Sequence, residues 1–244
     1  MMPLVIEFIG LPGAGKTTIA QMVIEELTVA GYQCFSLSTL SSPESIEKRR
    51  GGLISKMRTL YQFTLSCVKY RHLARNAFLY TLHVNPFSLV SLRRFFNLLV
   101  KLSFIETLMK SNYDLLILDQ GLLQNIWSIA TTGEQPDNDK YLERLLKNIL
   151  DEISPFVILV DVESEIAHER IARRPTMRSR FDQMSPSKAE AMLAKHRSVF
   201  EQLVDLADKF RETGFINVSG SQPISQNVSL IVPFIKQARQ ANSN

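Results

Sequence analysis

Three groups of residues in this chain have the types and spacing to do chemistry on phosphate. The first is Gly10-Leu11-Pro12-Gly13-Ala14-Gly15-Lys16-Thr17, followed directly by Thr18. This glycine spacing makes a loop whose backbone N–H groups can cradle phosphate, with Lys16 reaching the β- and γ-phosphates and the Thr17 hydroxyl available to Mg²⁺. The second is Asp119, which ends the apolar run Leu115-Leu116-Ile117-Leu118. Its carboxylate is a hard oxygen donor, the expected partner of a magnesium ion held by Thr17. A helix N-cap for the segment from Gly121 is compatible with the same position. The third group is Arg170, Arg173 and Arg174, which share one helix face, with Arg178 and Arg180 after them. Arginine presents planar donors that match phosphate oxygens and can neutralise charge on a moving phosphoryl group. Five arginines around Pro175 read as a lid over about 170–182. A solvated helix end would explain Arg173 or Arg174 but not the set.

Gln120 narrows the reaction. An ATPase that activates water usually places a carboxylate directly after the Asp, and an amide cannot accept that proton. A GTPase would carry an N-K-x-D motif, whereas Asp137-Asn138-Asp139-Lys140 has similar letters in another order. Transfer of the phosphoryl group to a bound small-molecule acceptor fits best, because it needs water excluded rather than activated. Lys16, Asp119, Arg170, Arg174, Arg178 and Arg180 are the expected catalytic set.

These residues need a scaffold that brings positions 10, 119 and 161 to one edge. Leu4 to Ile9 reads as a buried parallel strand, and Ile19, Ala20, Val23, Ile24 and Leu27 recur at helical spacing after the loop. Strand, glycine loop and helix in that order aim a positive helix end at one anion. The helix should stop near Ala30-Gly31, before a second strand from Tyr32 to Leu37 and a polar loop from Ser38 to Pro43. Helical patterns follow from Ser45 to about Met57 and from Leu60 to Leu82. Phe87 to Lys110 is the most apolar helix, its narrow polar stripe marked by Arg94, Asn97 and Lys101. A core helix is expected there; a membrane-surface helix is the alternative, given Arg93, Arg94 and Lys101 beside Phe95 and Phe96. Further strands are expected at 115–118, 156–160 and 215–218. Helices are expected at about 139–153, 163–174, 185–211 and 223–241. Strands alternating with helices predict one α/β domain over 1–244, a parallel sheet covered on both faces, with ligands beyond the carboxyl ends of its strands.

At 244 residues and 45% hydrophobic content the chain can build a sizeable core. Cys34 and Cys67 show no metal-like spacing and fit a reducing cytoplasmic setting. The first residues already form the first strand, so no signal peptide is expected. The net charge of +4 is unevenly spread, for Lys48 to Ile105 holds eleven of the 28 Lys and Arg residues and none of the 24 Asp and Glu. Such a block predicts an anionic partner, in the first place a phosphorylated acceptor bound by a basic helical region. Peripheral membrane contact is a less favoured alternative, as a nucleotide-gated protein docking through the same region. Nucleic acid is not favoured, and a homodimer is left open.

Three segments carry a resemblance to P-loop kinases of the thymidylate kinase-like, nucleotide kinase group. They are Ile9 to Thr18, the stretch from Val160-Asp161-Val162-Glu163 through Glu169-Arg170-Ile171-Ala172-Arg173-Arg174 to Arg180-Phe181-Asp182, and Asn217-Val218-Ser219-Gly220-Ser221-Gln222-Pro223. The resemblance implies a five-stranded sheet in the order 2-3-1-4-5, ATP as donor, a lid helix with arginines from Arg170 to Arg180, and a turn at Gly220 against the adenine. The acceptor half departs from that group. Ser38-Thr39-Leu40-Ser41-Ser42-Pro43 stands where a thymidylate kinase would carry an Arg-Glu-Pro-like segment, and Asp119-Gln120-Gly121 where it would carry an Asp-Arg pair.

Overall fold

A computed structural model describes residues 2–36, 53–133, 140–173, 184–209 and 214–241 of the chain. Five parallel strands, β1 (Leu4–Ile9), β2 (Cys34–Ser36), β3 (Leu115–Leu118), β4 (Phe156–Asp161) and β5 (Phe215–Ser219), lie in the order β2-β3-β1-β4-β5. This is the expected 2-3-1-4-5 sheet. Among the described residues the helices are α1 (Lys16–Val29), α2 (Leu53–Lys69), α3 (Arg71–Val84), α4 (Leu89–Met109), α5 (Leu122–Ala130), α6 (Lys140–Ile153), α7 (Ser164–Ala172), α8 (Pro186–Lys209) and α9 (Ile224–Ala241).

The central strand shows why its sequence is apolar without alternation. Leu4, Ile6 and Phe8 face one core cluster, filled by Ile19, Ala20 and Val23 of α1 and Val228, Ile231 and Ile235 of α9. Val5 and Ile9 face the other, built from α3, α4, α5, α6 and α8 around Tyr80, Leu99, Ile126, Leu146 and Leu203. Both faces are dry, so every position on β1 must suit a core, and each fully buried Leu or Ile stabilises the fold by roughly 1.5–3 kcal/mol. Glu7 stands on this strand and is completely buried. Such a residue needs a partner.

Several boundaries differ from expectation. The helical reading of 60–82 divides at Tyr70, where the backbone leaves helical geometry (φ −103°, ψ 43°) and the ring is buried; α2 ends before it and α3 begins after it. Among the described residues the second strand begins at Cys34 rather than 32 and pairs through Cys34, Phe35 and Ser36; Leu37 lies outside the described residues. The polar loop, the start of the 45–57 helical stretch, and Arg174, Arg178 and Arg180 with the rest of the arginine loop lie outside the described residues.

Helix α4 is a core helix in its second half, where Leu98, Leu99, Leu102 and Ile105 are buried. Two of the three residues of its polar stripe are not turned to solvent. Arg94 donates to the Ser128 carbonyl, and Lys101 donates to the carbonyls of Gln120 and Gly121, the latter at 3.2 Å. Both basic side chains therefore turn inward to satisfy backbone around α5, while Asn97 is exposed. Among the described residues no helix is long and apolar enough to cross a membrane.

Candidate active site

The glycine loop follows β1 and opens α1, as its sequence context requires. Gly13 has φ +91°, a conformation that L side chains rarely adopt, and a Cβ there would overlap the Ala167 carbonyl of α7. The helix that carries Arg170 thus packs directly on the loop. Gly10 lies against the Val160 carbonyl of β4, and the Ala14 N–H donates to the Leu11 carbonyl at 3.1 Å, closing the turn around Pro12. Lys16 is mostly buried and folds back over the loop, its Nζ donating to the carbonyls of Gly10 (2.8 Å) and Leu11 (2.9 Å). Its ammonium is therefore held over the cradle that the glycines form. Thr17 and Thr18 are exposed on the first turn of α1.

The structure brings Thr17 and Asp119 together from positions 102 residues apart. The Thr17 Oγ1 donates to Asp119 Oδ2 at 3.2 Å, at the carboxyl ends of β1 and β3. A hydroxyl and a carboxylate side by side form the hard-oxygen donor pair that suits Mg²⁺, which takes one or two protein ligands and completes its shell with phosphate and water. On the other side of the loop, Arg170 Nη1 donates to the Gly220 carbonyl at 2.9 Å. Its guanidinium stands near Gly15, and the Gly220 backbone lies against the Ala14 carbonyl. Arg170, Gly15 and Gly220 therefore share one flank of the loop. Arg173 does not join them; it is exposed and pairs with Glu169 at 3.5 Å. Asp161, at the end of β4, pairs with Arg197 of α8 at 3.5 Å, and its carbonyl accepts from the Gly220 N–H at 2.6 Å.

The main feature missed in the sequence lies one step below the magnesium pair. Glu7 accepts from the Leu122 N–H (3.0 Å) and the Gln124 N–H (3.1 Å), two amides of the first turn of α5. Asp119 does not serve as their cap: its carboxylate goes to Thr17, and a carboxylate from β1 takes the α5 amides instead. Gly121 makes this possible, since a Cβ there would overlap the Glu7 carboxylate. Lys101 supplies the counter-charge while bonding to the carbonyls of Gln120 and Gly121. Glu7, Gly121 and Lys101 thereby fix the Asp119-Gln120-Gly121 turn from beneath. One signal was present in the sequence: a lone carboxylate inside an otherwise apolar buried strand is almost never there without a partner.

Burial pushes the Glu7 carboxyl up from an ordinary 4.5 to about 7, against the lowering effect of the α5 amides and Lys101. Burial likewise lowers Lys101, opposed by Glu7 and Asp119. A group that holds its proton more tightly when folded stabilises the protein below its unfolded value and loses that contribution as pH rises through its folded one. The stability contribution of Glu7 is therefore full below about pH 4.5 and declines to about pH 7. Relative to Glu7→Gln, which has no proton to lose, the wild-type melting temperature is expected to fall by roughly 5 °C between pH 5 and pH 7.5. Parallel melting curves for the two proteins across that range would contradict this assignment.

Two amide atoms near the same turn, Gln124 Oε1 and Asn125 Nδ2, are buried without a hydrogen-bond partner among the described residues. Each such atom costs about 1–3 kcal/mol unless something satisfies it.

No known protein-family profile matches this chain, and no curated protein does. Solved structures do. One is deoxyadenosine kinase from M. mycoides with the products dCMP and a flexible dCDP bound, at 16% identity and TM-score 0.52, covering 96% of this chain and 100% of that one. Another is deoxyadenosine kinase from M. mycoides with bound dATP, at 18% identity and TM-score 0.52 with the same coverage. At these identities the likeness establishes the fold, that of the P-loop nucleotide kinases. Both neighbours are deoxyadenosine kinases, so the likeness reaches the nucleotide-kinase fold and not the thymidylate subtype.

Proposed function

We propose that this protein is an ATP- and Mg²⁺-dependent phosphotransferase that moves the γ-phosphoryl group to a nucleoside or nucleotide. The observation that carries the reading is the convergence of Lys16, Thr17 and Asp119 at one end of the parallel sheet, with Arg170 across the loop. The glycine-loop amides and Lys16 would hold the β- and γ-phosphates, with Lys16 exchanging its carbonyl partners for phosphate oxygens. Thr17 and Asp119 would hold magnesium, which would supply positive charge against the phosphates as the phosphoryl group leaves. Arg170, Gly220 and the turn to Pro223 would line the base and α-phosphate side, and Arg174, Arg178 and Arg180 would close over the transferring group as a lid.

Several features support transfer to an acceptor over hydrolysis. Gln120 follows Asp119, so no carboxylate stands there to activate water. The nucleotide ligands of the two neighbours, dCMP, dCDP and dATP, are bound by a chain of the same fold and nearly the same extent. Gln124 and Asn125 offer polar atoms that a heterocyclic base could satisfy. The basic region at 48–105 suits an acceptor that already carries phosphate, and such an acceptor brings its own nucleophilic oxygen.

Asp119→Asn keeps the shape of the site and removes one hard ligand charge. It is expected to raise the Mg²⁺ concentration needed for half-maximal transfer by about tenfold or more. An unchanged magnesium dependence in the folded variant would leave Asp119 a structural partner of Thr17 only.

A further inference from the structure

Helix α2 presents an apolar face that nothing in the described structure covers. Phe63 and Ser66 turn inward: the Phe63 ring stacks on Phe96 of α4 with centroids 4.6 Å apart, and Ser66 Oγ donates to the Leu99 carbonyl at 3.0 Å. The opposite arc carries Met57, Leu60, Tyr61 and Val68, exposed by 62%, 58%, 64% and 71%. At 3.6 residues per turn these four fall on one side of the helix. The inward pairs climb in step, 63 with 96 and 66 with 99, so α2 and α4 run parallel and Met57 stands level with the start of α4. There Phe87 (95%) and Leu89 (82%) are also exposed. Met57, Leu60 and Tyr61 on α2 and Phe87 and Leu89 at the start of α4 are the apolar prominence at this end of the pair, to which Val68, three turns further along α2, does not belong.

Its charge points to the partner. No Asp or Glu occurs anywhere from Lys48 to Ile105. Arg93 is exposed one turn into α4, and in the sequence Lys56 and Arg58 flank Met57. A second copy is a poor match, because a twofold contact would set this basic surface against itself. The chain between β2 and α2 is a poor cover as well, since residues 37–52 contain only Leu37, Leu40 and Ile46 as large apolar side chains.

We propose that this prominence docks the protein on an anionic lipid bilayer. The apolar side chains enter the boundary between headgroups and acyl chains, and the surrounding Lys and Arg residues lie among the phosphates. The docking surface lies within the basic 48–105 region proposed for the acceptor but uses none of Lys16, Thr17, Asp119 or Arg170, so flotation without nucleotide or acceptor tests docking apart from transfer.

Flotation of the full 244-residue chain with vesicles tests it. The protein is expected to float with phosphatidylcholine vesicles rich in phosphatidylglycerol, not with phosphatidylcholine alone, and to detach as salt is raised. The double variant Leu60→Glu, Leu89→Glu should lower the partition coefficient by at least about tenfold with an unchanged melting temperature, because both side chains are exposed. Arg93→Glu alone should weaken it less. Failure to float, equal flotation with neutral vesicles, or unaltered flotation of the double variant would overturn the proposal. So would a wild-type dimer in sedimentation that the double variant converts to monomer, which would assign this face to a second copy.

Discussion

Lys16→Ala is expected to lower phosphoryl transfer at least ~10³-fold while leaving the fold intact. Its ammonium rests on the carbonyls of Gly10 and Leu11, over the loop where it would lie against the β- and γ-phosphates of a bound nucleotide. The side chain takes no part in either core cluster, so its loss should move the melting temperature little. Most of the loss should fall on kcat, because the charge matters most as the γ-phosphoryl group departs. Transfer near the wild-type rate by a folded Lys16→Ala protein would rule out the phosphate-loop assignment.

The second large effect is expected in the arginine lid. An arginine that supplies charge to the transition state can be worth ~10³-fold or more in kcat, whereas a solvated one contributes little. Alanine at Arg174, Arg178 or Arg180 is expected to produce that large loss at one position at least, lowering kcat more than it raises KM for ATP. Arg170→Ala should act differently. Its guanidinium is tied to the Gly220 carbonyl beside the glycine loop, so its loss should raise KM for ATP as well as lower kcat. Arg173 is the internal control. It is exposed and paired only across one helix turn with Glu169, and Arg173→Ala should leave both constants within about twofold. Mild kinetics for all four other arginine variants would sink the lid and count against the kinase reading.

How much of this was legible in the sequence depended on whether the signal was local. The loop from Gly10 to Thr17 was legible because one continuous segment carries both the motif and its strand-to-helix setting. Leu115 to Leu118 was legible for a related reason: a parallel strand buried on both faces has no polar position to blur it. The Thr17–Asp119 contact was foreseen by assigning both residues to the same sheet edge, although they are 102 residues apart. The lock beneath Asp119 was not. Glu7, Lys101 and Gly121 come from β1, α4 and the start of α5, and no single segment reveals their contact. Lys101 was hidden by a fair inference from periodicity, since a lysine on the polar stripe of an apolar helix usually faces water. Here the backbone carbonyls of Gln120 and Gly121 needed a donor, and a long side chain could reach them. The split at Tyr70 was missed because Leu60 to Leu82 has helical periodicity with neither proline nor glycine to interrupt it. The helix breaks instead at Tyr70, whose ring is buried.

The most direct test of the account is acceptor-dependent release of ADP. The protein would be given ATP and Mg²⁺ with each of a panel of nucleosides and their 5′-monophosphates, and both ADP and phosphorylated acceptor would be quantified. The account predicts slow release of ADP from ATP alone, a rise of at least about a hundredfold with one class of acceptor, and one phosphorylated acceptor for each ADP. A rise with monophosphates only would tie the basic region at 48–105 to the acceptor phosphate; a rise with nucleosides would place a hydroxyl acceptor there. ADP released at the same rate with and without every acceptor, with phosphate appearing only as the inorganic ion, would contradict the account.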